Sequence, residues 1–208
     1  MSGLLRPEFG FVFGAGLGRG WYAHPMRPDH VIDTLIALDA LTDLPRTGWI
    51  LRGVAQPESI AAHSYGVALV TMALVDLARG EGREVDGERA LRIALLHDAP
   101  EARTGDIPMP QKSATMSESL ADIERAVVGE ILPADWIESW TESEQRASLE
   151  AKIAMAADKI QLMIKVLCYE RKRGARLADF WTNPGNFQDQ GLAFAQRVFD
   201  AIRARRGG

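Results

Sequence analysis

The sequence predicts an all-α fold, and two observations carry that expectation. Apolar residues recur three and four apart in successive segments punctuated by glycine or proline, and no stretch alternates apolar with polar residues as a half-buried strand would. Internal repeats are absent. Residues 1–28 contain Pro7, Pro25, Pro28 and many of the glycines without a sustained period, so they read as an irregular N-terminal arm ahead of one domain over 29–208. From Asp29, the positions Val31, Ile32, Leu35, Ile36 and Leu38 describe a helix face, and Pro45 stops it. Residues 46–57 read as a loop. Glu58 and Ser59 then open a strongly apolar helix to about Arg79 that carries His63. After a turn over Gly80–Gly87, Asp86 caps a helix whose residues Ala90, Leu91, Ile93, Ala94, Leu95 and Leu96 lead into His97-Asp98, and Pro100 bends or ends it. Thr104-Gly105-Asp106-Ile107-Pro108 is a loop, helical patterning resumes over about Ser117–Leu132, and Pro133 breaks it. Two further helices are expected, one over about Ser143–Arg173 with Asp158 in its apolar run, and one over about Phe187–Arg203.

The bulk composition narrows the function classes. A chain of 208 residues, 47% hydrophobic and 25% charged, can bury a sizeable core. With a formal net charge of −4, it has no global positive field to draw it to nucleic acid or an anionic membrane, so an anionic small molecule would need a local basic pocket. The single cysteine, Cys168, rules out an intramolecular disulfide and a four-cysteine zinc site, in keeping with a cytoplasmic location. No secretory signal is read in the arm, and the longest apolar run, Val67–Val75, is shorter than the roughly 18 residues of a membrane span. The glycines of Gly14–Gly20 lack the spacing of a dinucleotide-binding loop, and the basic clusters Arg171–Arg173 and Arg203–Arg206 read as helix ends.

Four residues share an awkward property. His63, His97, Asp98 and Asp158 each lie in or beside a helix whose neighbours are mostly apolar, and a buried carboxylate without a partner is costly. A divalent metal would compensate all four at once. Each residue taken singly also fits a plainer role, a hydrogen-bonded core histidine or an aspartate paired with a basic side chain. Glu101 stands one helical turn after His97 and could reach water at such a metal; alone, it also reads as a solvated carboxylate or one paired with Arg103.

The order of these residues resembles the signature of the HD superfamily of phosphohydrolases: one histidine, a His-Asp pair about thirty residues on, and a distal aspartate on a later helix. Further motifs, Pro45-Arg46-Thr47-Gly48-Trp49, Pro57-Glu58-Ser59 and His97-Asp98-Ala99-Pro100-Glu101 leading to Thr104-Gly105-Asp106-Ile107-Pro108, resemble the HD-domain 5'-deoxynucleotidases over roughly residues 29–173. The resemblance implies an HD-type helical bundle with His63, His97, Asp98 and Asp158 as ligands of a divalent metal, and Glu101 with Asp106 as an acid-base pair. It also implies a phosphate-binding arginine and a base-side tryptophan, placed here at Arg46 and Trp49, with Arg52 and Lys112 as further substrate cations. Similar nucleotidases form homodimers, which implies one here.

The only other histidines, His24 and His30, precede His63, so the additional ligands of multi-metal HD sites are missing and one metal ion is expected, of Mn, Co, Fe, Ni or Zn. The expected activity is hydrolysis of a nucleoside 5'-monophosphate, a deoxyribonucleotide first of all, to nucleoside and phosphate. A deoxynucleoside triphosphate triphosphohydrolase on the same scaffold, and a nucleotide-sensing module without turnover, are the alternatives.

Overall fold

The computed structural model describes residues 27–108, 114–173 and 176–206. Residues 1–26 of the arm and Lys112 lie outside them. The described residues form ten α-helices and one short 3₁₀ turn, with no strand beyond an isolated bridge between Pro45 and Ser59, as the all-α reading requires.

Helix α1 spans Pro28–Asp43 and opens on proline, whose missing N–H costs nothing in a first turn. The loop expected at 46–57 contains one turn of helix, α2 (Thr47–Ile50). Helix α3 (Ile60–Gly80) begins where Ser59 Oγ accepts the Ala62 amide, and α4 (Gly87–Leu96) where Asp86 accepts the Arg89 amide at 3.0 Å. After Pro100, α5 (Glu101–Thr104) adds a single turn, and α6 (Ala114–Ile131) follows.

The helix expected at Ser143–Arg173 is two. Pro133 breaks α6 as expected; helix α7 (Ala134–Gln145) starts directly after it and ends at Arg146 in the left-handed region with φ 51°. Helix α8 (Leu149–Arg173) then restarts beneath Ser148, whose Oγ accepts the Ala151 amide at 3.1 Å. A short α9 (Ala178–Thr182) and a 3₁₀ turn at Pro184–Asn186 precede the last helix, which begins at Ala193 rather than near 187. An Asp189-Gln190-Gly191 turn, with positive φ at Gln190 and Gly191, holds off helix until α10 (Ala193–Arg206).

Two apolar clusters hold these helices together. The larger joins α3, α4, α8, α9 and α10 through Val67, Leu74, Ile93, Ile160, Phe194 and Phe199. The smaller joins α1, α3 and α6 to α7 through Leu41, Ile60, Leu96, Val128 and Trp140. Helix α3 is long and apolar enough to cross a membrane by composition, but its inner face is core and packs on α1, α4, α8 and α10. Its residues Ile60 and Val67 belong to different clusters, so His63 sits where the two meet.

Candidate metal centre and active site

α3, α4 and α8 bring the expected ligands to one point. His63 comes from the first turn of α3, His97 from the C-cap of α4, Asp98 from the turn after it, and Asp158 from the middle of α8. Potential ligand atoms of His63, His97 and Asp158 all lie within 4.8 Å of one another. Asp98 Oδ2 joins them at 3.2 Å from His97 Nε2 and 3.6 Å from His63 Nε2.

The ring nitrogens divide their work. Nδ1 of His97 faces the Ala94 carbonyl at 2.8 Å, and Nδ1 of His63 faces Gln161 Oε1 at 2.7 Å. Neither Nε2 makes a hydrogen bond, although both are buried. Each instead faces carboxylate oxygen, Asp158 Oδ1 lying 3.3 Å from His63 Nε2. Two buried imidazole nitrogens without hydrogen bonds, converging with two carboxylates, fit a divalent cation.

The electrostatics agree. Burial disfavours charge on His97, but Asp98 and Asp158 outweigh it and raise its pKa above 6.5. Burial likewise disfavours the Asp98 and Asp158 anions; it is outweighed by His97 and Arg46 for the first and by Lys159 and the two histidines for the second, and both carboxyls end well below their ordinary range.

Pro100 splits the helical segment, so Glu101 does not simply follow His97 along one helix. The Glu101 amide instead donates to the Asp98 carbonyl at 3.0 Å, which ties the two acids into one tight turn. Gly105, at φ 70° and ψ 169°, then reverses the chain. Asp106 returns to the start of α2, where its Oδ2 accepts the Thr47 amide at 2.6 Å. Arg46, just before α2, is clasped by three acids: its Nη1 lies 2.9 Å from Asp98, 3.6 Å from Glu101 and 3.7 Å from Asp106. These anions outweigh its burial and fix its charge.

A cavity of about 310 Å³ opens over these groups. Arg46, Arg52, His97, Asp98, Glu101, Asp106 and Asp158 all line it. Trp49 also borders it but is only 2% exposed: one face stacks on Phe180 at 5.0 Å and Tyr169 meets it edge-on. The expected platform for a base is therefore a core anchor, because both neighbours cover the indole. Arg52 lies over the other side of Phe180 at 4.4 Å and pairs with Asp179 at 2.7 Å. It forms part of the wall. Lys112 lies outside the described residues, so the structure gives it no place.

Sequence reasoning missed Lys159, Arg146 and Asn183, which also line the cavity. Lys159 Nζ is 3.0 Å from Asp158, and its position beside the distal aspartate was the one available signal. Arg146 carried none, because its place depends on the left-handed end of α7.

Comparisons with known proteins agree with this geometry. The HD-domain family model matches residues 38–191. The human 5'-deoxynucleotidase HDDC2 is 32% identical over 149 residues, covering 68% of this chain and 70% of that protein. Its Danio rerio counterpart is 28% identical over 186 residues, covering 85% and 90%. A conserved hypothetical protein from Pyrococcus furiosus superposes with a TM-score of 0.73 at 30% identity, over 83% of this chain and 99% of that one. With a matching model over most of its length, relatives about a third identical over the aligned residues and a histidine-aspartate cluster at the centre of the bundle, the chain belongs to the HD-domain family.

Proposed function

We propose that the protein is a metal-dependent phosphohydrolase that removes the 5'-phosphate of nucleoside monophosphates, deoxyribonucleotides above all, giving nucleoside and phosphate. One observation carries the reading: of the cluster His63, His97, Asp98 and Asp158, the last three line a cavity together with an arginine held among Asp98, Glu101 and Asp106. Relatives named 5'-deoxynucleotidases, at 28% to 32% identity over most of the chain, point to the same chemistry.

The four ligands would hold one divalent transition ion. Such an ion, when bound, supplies Lewis acidity at the phosphoryl group and makes a nearby water more acidic. Arg46 contacts the phosphoryl oxygens, its guanidinium kept in place by the flanking acids. Glu101 takes the proton of the attacking water as the new P–O bond forms. Asp106 relays that proton to the 5'-oxygen as the old P–O bond breaks, so the proton taken from water leaves on the nucleoside. Asn183 and Asn186 line the same cavity and supply polar groups for the nucleoside.

The test is a phosphate-release screen of ribo- and deoxyribonucleoside 5'-monophosphates and triphosphates against Mn²⁺, Co²⁺, Fe²⁺, Ni²⁺ and Zn²⁺. Orthophosphate from monophosphates is expected, and Glu101→Ala should lose it by about 10²-fold or more at unchanged metal content. Triphosphate release from a deoxynucleoside triphosphate would replace this reading, and nucleotide binding without any turnover would make the protein a sensor. We also propose a homodimer, for which the outward face of α3, with Tyr65, Leu69 and Met72 exposed at helical spacing, supplies an apolar surface.

A further inference from the structure

Behind His63 lies a buried polar chain that takes no part in the chemistry above. Glu58 is 7% exposed, and its carboxylate is fully engaged. Oε1 accepts the Trp49 indole N–H at 3.0 Å, while Oε2 accepts the Gln161 Nε2–H at 3.0 Å and lies 3.1 Å from Lys165 Nζ. The Glu58 backbone amide is itself pinned, donating to the Tyr169 hydroxyl at 2.8 Å. Gln161 in turn faces His63 Nδ1 through Oε1. The amide fits there because position 66 on α3 is glycine: a Cβ at Gly66 would stand 2.9 Å from Gln161 Cγ and 3.0 Å from Nε2.

A carboxylate can only accept hydrogen bonds, so Glu58 dictates which end of the Gln161 amide faces it. That end must be the NH₂. The carbonyl is left for His63, where it requires a proton on Nδ1, and a neutral imidazole with its proton on Nδ1 carries its lone pair on Nε2. We propose that Glu58 and Gln161 are positioning residues that set the His63 tautomer from a distance, presenting the Nε2 lone pair to a metal ion. Gly66 supplies the room, and Trp49, buried under the substrate cavity, steadies the carboxylate. The inference rests on the reading of His63 as a metal ligand.

The chain of donors predicts an inversion. In Glu58→Gln the partly exposed Lys165 swings out to solvent while the buried Trp49 cannot, so the oxygen of the new amide stays with the Trp49 N–H and its NH₂ meets the NH₂ of Gln161. The conflict is relieved when Gln161 turns over. His63 Nδ1 must then accept, its proton moves to Nε2, and the ligand atom is blocked. The double variant Glu58→Gln, Gln161→Glu restores the polarity, since the new amide donates to a carboxylate that again accepts from His63 Nδ1.

The experiment reads the tautomer directly, by long-range ¹H–¹⁵N correlation of the histidine rings in metal-free protein at alkaline pH, and Zn²⁺ affinity by competition with a chromophoric chelator. The parent should show Nδ1–H at His63, Glu58→Gln should show Nε2–H with Zn²⁺ affinity about 10- to 100-fold weaker, and the double variant should regain both parent properties. A merely structural loss would not be repaired by exchanging the two residue types. An Nε2–H tautomer in the parent would overturn the proposal even if the single variant does not fold, as would a single variant with parental tautomer and affinity, or a double variant no better than the single one. Failure of the parent to bind Zn²⁺ at all would instead remove the metal-centre reading on which the proposal stands.

Discussion

At the scale of the residue, His97 decides how the centre responds to pH. Its raised pKa means that the folded state binds this proton more tightly than the unfolded chain does. Stability from His97 is therefore complete below the unfolded value of 6.5 and is lost as pH rises through the folded one. For Asp98 and Asp158, whose pKa values are lowered, the contribution is present above the unfolded 3.8 and is lost as pH falls through the folded values. The three contributions coincide between 3.8 and 6.5. Thermal melts of chelator-treated protein should accordingly fall in midpoint as pH rises above 6.5, and Mn²⁺ should abolish that decline because it binds the neutral ring. Equal alkaline slopes with and without Mn²⁺ would exclude His97 from the ligand set. The clustered residues His63, His97, Asp98 and Asp158 were legible because polar groups set in apolar runs need a reason to be there. Gln161 shows the same anomaly on α8, but an uncharged amide is cheap enough to bury that it drew no notice. For Trp49 a tryptophan beside an arginine fits a stacked base and a core anchor about equally well in sequence, and it is Phe180 and Tyr169, distant in the chain, that bury the indole.

At the scale of the element, the catalytic turn depends on one glycine. Gly105 adopts φ 70° and ψ 169°, a combination open almost only to glycine, and its reversal carries Asp106 to the Thr47 amide. No atom would meet an added Cβ there, so substitution is penalised by backbone conformation alone. Gly105→Ala should destabilise the fold by about 1–3 kcal/mol in denaturant titrations, and should lower kcat more than metal content by shifting Asp106. A variant with parental stability and turnover would show that the reversal is not needed. Helices with long apolar periods, α1, α3, α4 and α8, were legible within a few residues at most ends. Helix α7 was not. Its sequence Ala134–Gln145 is rich in acidic residues and Ser, with Trp136, Ile137 and Trp140 as its apolar contacts, and Pro133 reads equally well as a breaker or as the residue before a first turn.

At the scale of the whole molecule, two cores meet at the His63 cluster, and the outward face of α3 carries apolar side chains. Tyr65, Leu69 and Met72 are 65%, 48% and 51% exposed. Leu69→Asp should convert a dimer to monomer in analytical ultracentrifugation while leaving the helical circular dichroism intact, and an unchanged sedimentation coefficient would remove α3 from the interface. The helical class and the central residues were legible from periodicity, whereas the cavity wall from α9 and the 3₁₀ turn was not, because it is assembled by tertiary packing of short segments. The clasp around Arg46 has a kinetic consequence. Among the described residues, Asp98, Glu101, Asp106, Glu144, Asp158 and Asp179 line the cavity against Arg46, Arg52, Arg146 and Lys159, six negative charges against four positive, a deficit of two when His97 is neutral. A phosphate dianion meets repulsion there until a divalent cation cancels it, so loading is ordered, cation before nucleotide. Calorimetry should find nucleotide binding to chelated protein at least about tenfold weaker than to protein loaded with Mn²⁺, with the gap narrowing as salt screens the field. Under metal limitation the enzyme would leave nucleotides unbound rather than sequester them, and its response to cation supply would be set at substrate capture.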